Sequence, residues 1–205
     1  MGYWMNLGQI QKINAKKFPE TVALKDATRA FTYPQMNSRI NQLANSLTSL
    51  GLQKGDKVAV LLENCIEICE LFMATAKAGI IIVPINFRLV SAEVEYIVNN
   101  SDAKAMVVHD QFAHVVEPIR STLKNISAQD YIIVGKPQEG YRPYEDFMGA
   151  STDTEPDIDV APREPQTFQH EGEEFLYVLQ GKMEFSYDGE VRIMKKGDSV
   201  YFDSQ

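Results

Sequence analysis

Apolar residues recur at every third or fourth position in several stretches of the chain, which is the spacing of one helix face. The clearest stretch begins at Met36 and continues through Ile40, Leu43, Leu47 and Leu50. Such a stripe predicts an amphipathic helix that buries one side. The same rhythm predicts further helices over residues 6–18, 66–77, 112–123 and from residue 91 onward.

The clearest helix also carries end signals. Thr32 stands at the expected N-cap position, and Pro34 follows in the first turn, where proline is tolerated. Gly51 comes directly after the last apolar residue of the stripe. Because glycine readily takes the left-handed conformation that closes helices, Gly51 is the predicted end.

Short runs of consecutive apolar residues lie between the predicted helices. Four of them cover residues 58–62, 80–83, 105–108 and 131–134, and two shorter candidates cover 22–25 and 29–32. Runs that are apolar on both faces are typical of strands covered by helices on two sides. Strands alternating with helices predict an α/β fold with a doubly wound, largely parallel sheet.

The charge is unevenly distributed along the chain. The 205 residues hold 20 Lys and Arg against 28 Asp and Glu, for a net charge of -8. Residues 1–150 contain 15 basic and 15 acidic side chains, whereas residues 151–205 contain 5 and 13. Such an asymmetry indicates a change of module.

The join is expected within residues 151–166, a stretch with three prolines and alternating acids. This composition favours an extended, solvated linker, with an irregular loop packed on the first domain as the alternative. The predicted domains are therefore 1–150, the linker 151–166, and a small antiparallel β segment over 167–205.

Several classes of protein are disfavoured by the sequence. No apolar run approaches the ~18 residues of a membrane helix, and the first residues lack a basic segment followed by an apolar core. We therefore expect no membrane span and a cytoplasmic location. The acidic balance disfavours nucleic acid as a partner. Two cysteines are too few for a disulfide framework.

The polar residues and cysteines within the α/β part are expected to have structural rather than catalytic or ligand-binding roles. Cys65 and Cys69 share one helix face and are expected to pack in the core. Glu67 and Glu70, with Glu63 before them, are expected on a solvated helix face. His109 follows a predicted strand, where ligands often bind in this fold, but a lone histidine there is more often ordinary.

Three segments of the α/β part read FTYPQMNSRINQLANSLTSLGLQKGDKVAVLLENC, LFMATAKAGIIIVPINFRL and SAEVEYIVNNSDAKAMVV. Together they resemble the N-terminal part of the adenylate-forming enzymes, which include the acyl-CoA synthetases. The most specific parts are residues 77–79 and 83–89. The resemblance implies a family that joins a carboxylate to AMP with ATP and then passes the acyl group to coenzyme A, so ATP and coenzyme A are cofactors only by resemblance.

The chain departs from that family shortly after residue 150. The family's phosphate loop is rich in Ser, Thr and Gly, whereas this chain reads APREPQTFQHEGEEF. The adenine and ribose contacts, the metal-binding glutamate region and the C-terminal domain with its catalytic lysine are also missing. We therefore expect no catalytic residue in this chain.

The last part of the chain reads HEGEEFLYVLQG at 170–181 and KGDSVYF at 196–202, with a hairpin signal at residues 188–189 between them. These motifs resemble those of the cupins, which are small antiparallel β-barrels. The resemblance implies His170 and Glu174 as two metal ligands. Phe168 occupies the position of a third, and the fourth would follow Phe202 beyond Gln205. Two ligands predict at most weak binding of a divalent metal.

Three functional hypotheses follow. The first is a catalytically silent, truncated part of an acyl-CoA synthetase fused to a partial cupin. The second is a module that binds or senses a small molecule or a divalent metal. The third is an interaction protein that dimerises through the open strand edges of the partial cupin.

Overall fold

The computed structural model describes residues 7–158, 160, 173–187 and 189–203. The chain divides into two compact units, with the boundary between Val160 and Ala161. His170 and residues 161–166 of the predicted linker lie outside the described residues. No helix among the described residues is long and apolar enough to cross a membrane.

The first unit is an α/β unit, whose helices and strands alternate along the chain as predicted. In chain order the elements are α1 (Gly8–Lys17), β1 (Val22–Lys25), β2 (Ala30–Thr32), α2 (Tyr33–Ser49), β3 (Lys57–Leu61), α3 (Ile66–Ala78), β4 (Ile81–Pro84), α4 (Ser91–Ser101), β5 (Ala105–His109), α5 (Ala113–Val116), β6 (Tyr131–Val134), β7 (Arg142–Pro143) and α6 (Tyr144–Gly149).

Five strands form one parallel sheet in the order β4-β3-β5-β6-β7. Successive side chains of a strand point to opposite faces, so each strand contributes to two cores. Val58 and Val60 of β3 pack with α2 and α3, whereas Ala59 and Leu61 pack with α4 and α5. The predicted doubly wound sheet with helices on both faces is confirmed.

The end signals of α2 act as the sequence predicts. The side-chain oxygen of Thr32 accepts a hydrogen bond from the Gln35 backbone N–H, and the Gln35 side chain accepts one from the Thr32 N–H. This capping box satisfies two N–H groups at the start of the helix. Gly51 has a φ of +96°, a value that favours glycine.

The single helix predicted over 112–123 is wrong in its details. Two 3₁₀ turns, Asp110–Phe112 and Glu117–Thr122, flank the four-residue helix α5. Pro118 has no backbone N–H, so the α-helical bond from this position cannot form. The chain therefore tightens into a 3₁₀ turn after α5.

Residues 151–158 contain no helix or strand and pack along α2 as an irregular loop. Asn41 donates from Nδ2 to the carbonyl of Asp153 at 2.9 Å, and Asn45 donates to the carbonyl of Thr152 at 2.8 Å. Ile158 packs against the core on this face of the sheet. This stretch follows the packed-loop alternative, whereas the complete division into domains stays a prediction.

The second unit contains antiparallel strands, in agreement with the predicted β segment. They are β8 (Glu173–Tyr177), β9 (Lys182–Tyr187), β10 (Glu190–Lys195) and β11 (Ser199–Asp203). Strand β8 pairs with β11, and β9 pairs with β10 in a hairpin. Gly189, at the predicted turn, has a φ of +76°.

Candidate functional site

The strand order of the parallel sheet defines a crevice where the chain changes direction. From β3 the chain moves to β4 on one side, whereas from β5 it moves to β6 on the other side. Ligands of such sheets bind outside the carboxyl ends of the two strands that flank this change. The carboxyl ends of β3 and β5 are therefore the candidate site.

His109 is the last residue of β5 and lies at this edge. Its Nδ1 atom is 2.7 Å from Oδ1 of Asp110, and Oδ2 of Asp110 accepts a hydrogen bond from the Lys136 backbone N–H at 2.9 Å. The hydrogen bond from Lys136, and then the proximity of His109, hold the pKa of Asp110 below its ordinary value. The carboxylate thus fixes the imidazole and connects the loops after β5 and β6.

One aromatic ring, that of Phe112, contacts the histidine and packs on a second ring, that of Phe87. Phe112 stacks with Phe87 at 5.6 Å between ring centroids and lies edge-on to His109 at 6.4 Å. The guanidinium of Arg88 lies 5.3 Å from the centre of the Phe87 ring. These groups can contact a planar or anionic molecule through stacking and charge. The family-specific residues 83–89 contribute to this edge.

The expectation of a solvated face for Glu67 and Glu70 is wrong. Both side chains are buried, because this face of α3 packs on α2. Glu70 bonds the guanidinium of Arg39 from α2 and accepts a 2.8 Å hydrogen bond from the Tyr144 hydroxyl. Burial raises the pKa of Glu70 despite its bonds to Arg39 and Tyr144.

Arg39 was missed by sequence reasoning. It binds Glu70 on one side and Glu145 of α6 on the other, at 2.7 Å from its Nη2 to Oε1 of Glu145. The sequence feature that could have identified Arg39 is its position at the edge of the apolar stripe of α2. Its partners are distant in sequence, so periodicity could not identify them.

Lys77, within the family-specific residues 77–79, lies in a second buried cluster. Its Nζ atom donates to Asn37 Oδ1 at 2.8 Å, to Asn41 Oδ1 at 2.6 Å and to Glu155 Oε2 at 2.8 Å. The hydrogen bonds connect α2, α3 and the loop at 151–158. Lys77 therefore fixes the packing of these segments.

The expected core packing of the two cysteines is only half correct. Cys65 is half-buried, whereas Cys69 is exposed, and both thiols are free. Burial raises the pKa of Cys65 to about 11. A thiol with a raised pKa carries little thiolate at neutral pH and is a poor nucleophile.

The predicted metal pair, His170 and Glu174, stays a prediction, because His170 lies outside the described residues. Glu174 lies in β8 with its backbone opposite Phe202 of β11, and His170 lies outside the described part. Within that part, no group of three or more His, Cys, Asp or Glu side chains could hold a metal ion. One imidazole and one carboxylate do not complete a transition-metal site, which generally takes about four ligands.

The solved structures that resemble the first unit define its class. An anthranilate–CoA ligase, solved with anthranoyl-AMP, superposes with a TM-score of 0.70 and 30% identity over 75% of this chain and 30% of that chain. The N-terminal domain of a Mycobacterium tuberculosis protein, FACL13, gives a TM-score of 0.68 and 29% identity over 78% of this chain and 40% of that chain. The fold is that of the N-terminal domain of an adenylate-forming ligase.

Sequence comparison gives the family. A family model described as AMP-binding enzyme matches residues 12–171, so the chain belongs to the AMP-binding enzymes. A second model, described as cupin domain, matches residues 157–205. The resemblance to both families, predicted from the sequence, is confirmed.

The relatives are CoA ligases, and the chain spans less than a third of their length. A long-chain-fatty-acid–CoA ligase of Mycobacterium tuberculosis is 38% identical over 57% of this chain and 24% of its own length. A medium/long-chain-fatty-acid–CoA and 3-oxocholest-4-en-26-oate–CoA ligase of Mycobacterium marinum is 32% identical over 78% of this chain and 30% of its own.

Proposed function

We propose that these 205 residues supply the N-terminal scaffold of an acyl-CoA ligase and form no acyl adenylate by themselves. The observation that carries the proposal is the partial coverage: the likeness extends over 24% and 30% of the length of two fatty-acid ligases. The remaining length of those ligases has no counterpart in the alignments. The cytoplasmic location expected from the sequence belongs to the same proposal.

The engagement of two cations in the packed interior, Arg39 and Lys77, supports this proposal. Adenylation needs positive groups that stabilise the charge developing on the ATP phosphates. Arg39 is engaged by Glu70 and Glu145, and Lys77 is engaged by Glu155. Because both cations hold elements of the scaffold together, they serve its stability rather than phosphate chemistry.

The decisive experiment is carboxylate-dependent exchange of pyrophosphate into ATP by the purified chain. With Mg²⁺, ATP and a long-chain fatty acid, we expect no exchange above that of a mock purification from the same host. Hydroxylamine trapping of an acyl adenylate gives an independent readout. Exchange that scales with the concentration of the chain and exceeds the mock preparation would overturn the proposal.

A second candidate function, dimerisation, is favoured by the surface of the second unit. Large apolar side chains are exposed on its strands and turns, namely Phe175, Tyr177, Leu179, Val191, Ile193 and Tyr201. Each pair of described strands forms a two-stranded sheet, so each has edges that no other described strand pairs. Open edges and exposed apolar residues favour pairing with a second copy.

Light scattering tests the dimer with a matched pair of variants. We expect a dimer for the wild type, a monomer for Ile193→Glu, and a dimer for Arg192→Glu, which places the same glutamate at a neighbouring exposed position of β10 that already carries a charged side chain. A monomeric wild type at high concentration would refute the dimer. The alternative of a metal or small-molecule module stays a prediction, and no step is assigned to a metal at His170 and Glu174.

A further inference from the structure

One side of α2 carries a row of side-chain amides that holds the loop at residues 151–158, which we call the strap. Asn41 donates from Nδ2 to the carbonyl of Asp153 at 2.9 Å. Asn45, about one turn further along the helix, donates to the carbonyl of Thr154 at 3.0 Å. Because every residue has a main-chain carbonyl, these bonds recognise an extended backbone whatever its side chains are.

Side chains beside this row bind two carboxylates of the strap. The hydroxyl of Ser38 donates to Oδ2 of Asp153 at 2.8 Å. Asn37 donates to Oε1 of Glu155 at 2.8 Å, and the buried ammonium of Lys77 donates to Oε2 of Glu155 at 2.8 Å. Hydrogen bonds to ionised groups are roughly twice as strong as neutral ones. The arrangement therefore selects an extended segment whose acidic side chains are two residues apart.

The strap can leave this side of α2 without breaking the parallel sheet. It contains no helix or strand, and residues 152–154 are exposed. Its link to the preceding helix passes through Gly149 and Ala150, which are also exposed. Ile158 is an apolar anchor, and it is only partly buried against the core. Segments with few buried apolar contacts open at a small cost in free energy.

We infer that this side of α2 is a binding site for an extended acidic peptide, and that a second copy of the chain supplies the peptide by exchanging its strap. The strap of a second copy offers the same carbonyls and carboxylates as the strap in place. Exchange of an identical element therefore recreates the same contacts between two molecules. The site lies in the first unit, so it depends neither on the strand dimer nor on the absence of ligase activity.

The first test adds the strap as a separate labelled peptide, STDTEPDIDV, and measures fluorescence anisotropy with the full chain. The receptor is the double variant Asp153→Asn and Glu155→Gln, whose own strap keeps its shape but lacks both carboxylates. Because a hydrogen bond to a charged group changes affinity by about tenfold or more, this variant should bind the peptide about tenfold tighter than the wild type, whose intact strap competes. The amide peptide STNTQPDIDV should bind at least about tenfold more weakly.

Variants of α2 separate the two kinds of contact. Asn45→Ala should weaken both peptides by a common factor, because it removes donors to the backbone. Ser38→Ala should reduce the preference for the acidic peptide. Lys124→Ala, which removes an exposed cation after α5, should change neither affinity. Absence of saturable binding, equal affinities of the two peptides, or equal binding to the wild type and the double variant would overturn the inference.

The second test asks whether a second copy supplies the strap. One chain carries Ser38→Ala and Asn45→Ala, so only its strap is intact, and the other carries Asp153→Asn and Glu155→Gln, so only its α2 site is intact. Both chains carry Ile193→Glu, so the result does not depend on the strand dimer. Light scattering should show more dimer in the equimolar mixture than in either chain alone. A mixture no more associated than its components, at concentrations above the peptide's dissociation constant, would overturn the exchange.

Discussion

The hydroxyl of Tyr144 donates a 2.8 Å hydrogen bond to Oε2 of Glu70, a carboxylate that is fully buried. Arg39 engages the same carboxylate and also reaches Glu145 at the surface. A single carboxylate thereby connects α2, α3 and α6. Removing it leaves a buried hydroxyl and a largely buried guanidinium with fewer partners, which is a costly change.

We predict that Glu70→Ala lowers the free energy of unfolding by about 3–5 kcal/mol, because it breaks a buried ion pair from one side. Urea unfolding measures the change. The control is Glu63→Ala, an exposed position shortly before α3, which should change stability by less than about 0.5 kcal/mol. Equal unfolding midpoints for the two variants would contradict the proposed role of Glu70.

The ion pair between Lys77 and Glu155 is expected to make the stability of the fold depend on pH in the acid range. Burial alone would raise the pKa of Glu155, but the hydrogen bonds from Lys77 and Asn37 outweigh it and hold the pKa below the ordinary 4.5. A carboxyl group with a lowered folded-state pKa stabilises the fold above its unfolded-state pKa. This contribution is lost as the pH falls from about 4.5 through the folded-state pKa.

Burial lowers the pKa of Lys77, although the hydrogen bond with Glu155 opposes this. The ammonium group of Lys77 nevertheless does not titrate in acid. The loss of stability at low pH is therefore assigned to Glu155. Glu155→Gln should therefore be less stable at pH ~7 and show a shallower loss of stability below pH ~4.5. Unfolding midpoints across this range measure both effects. Exposed Glu20→Gln is the control, and a slope in Glu155→Gln equal to that of the wild type would refute the prediction.

A side chain added at Gly135 is expected to clash with Asp110 at the candidate site. Its φ is +98°, and an added Cβ would lie 2.7 Å from Cγ of Asp110. Gly135→Ala should displace that carboxylate from the Lys136 N–H and cost about 3 kcal/mol or more, from backbone strain and a lost charged hydrogen bond.

Gly55→Ala is the matched control for this substitution. Gly55 has a similar φ of +90°, but no atom lies within 4 Å of an added Cβ, so only the strain of about 1–2 kcal/mol remains. Chemical denaturation of both variants gives the difference. If the two substitutions cost the same, the contact with Asp110 does not stabilise this edge.

The sequence was sufficient to predict features that depend on interactions between residues close together in the chain. The apolar run 131–134 is strand β6 residue for residue, and Thr32 caps α2 through a partner three residues away. The burial of Glu70 could not be predicted in this way. Its partners Arg39 and Tyr144 are 31 and 74 residues distant, so only the packing of helices reveals the network.

The candidate site, too, could be predicted only in part from the sequence. His109 was recognised as a strand-end residue, but the crevice also depends on β3 lying between β4 and β5. Strand order is a long-range property that periodicity does not encode. The metal pair, in contrast, came entirely from the resemblance to cupins, so it requires a direct test.

We predict weak, histidine-dependent binding of a divalent metal by the second unit. A site with two protein ligands and a dissociation constant near ~1 mM would stabilise the fold by about 1.4 kcal/mol at ~10 mM metal. The expected result is a rise in the melting temperature with Mn²⁺ that is absent in His170→Ala and in Glu174→Gln. Glu184→Gln, an exposed change on β9, should keep the rise. A response at micromolar metal, or one that survives in His170→Ala, would show that other residues bind the ion.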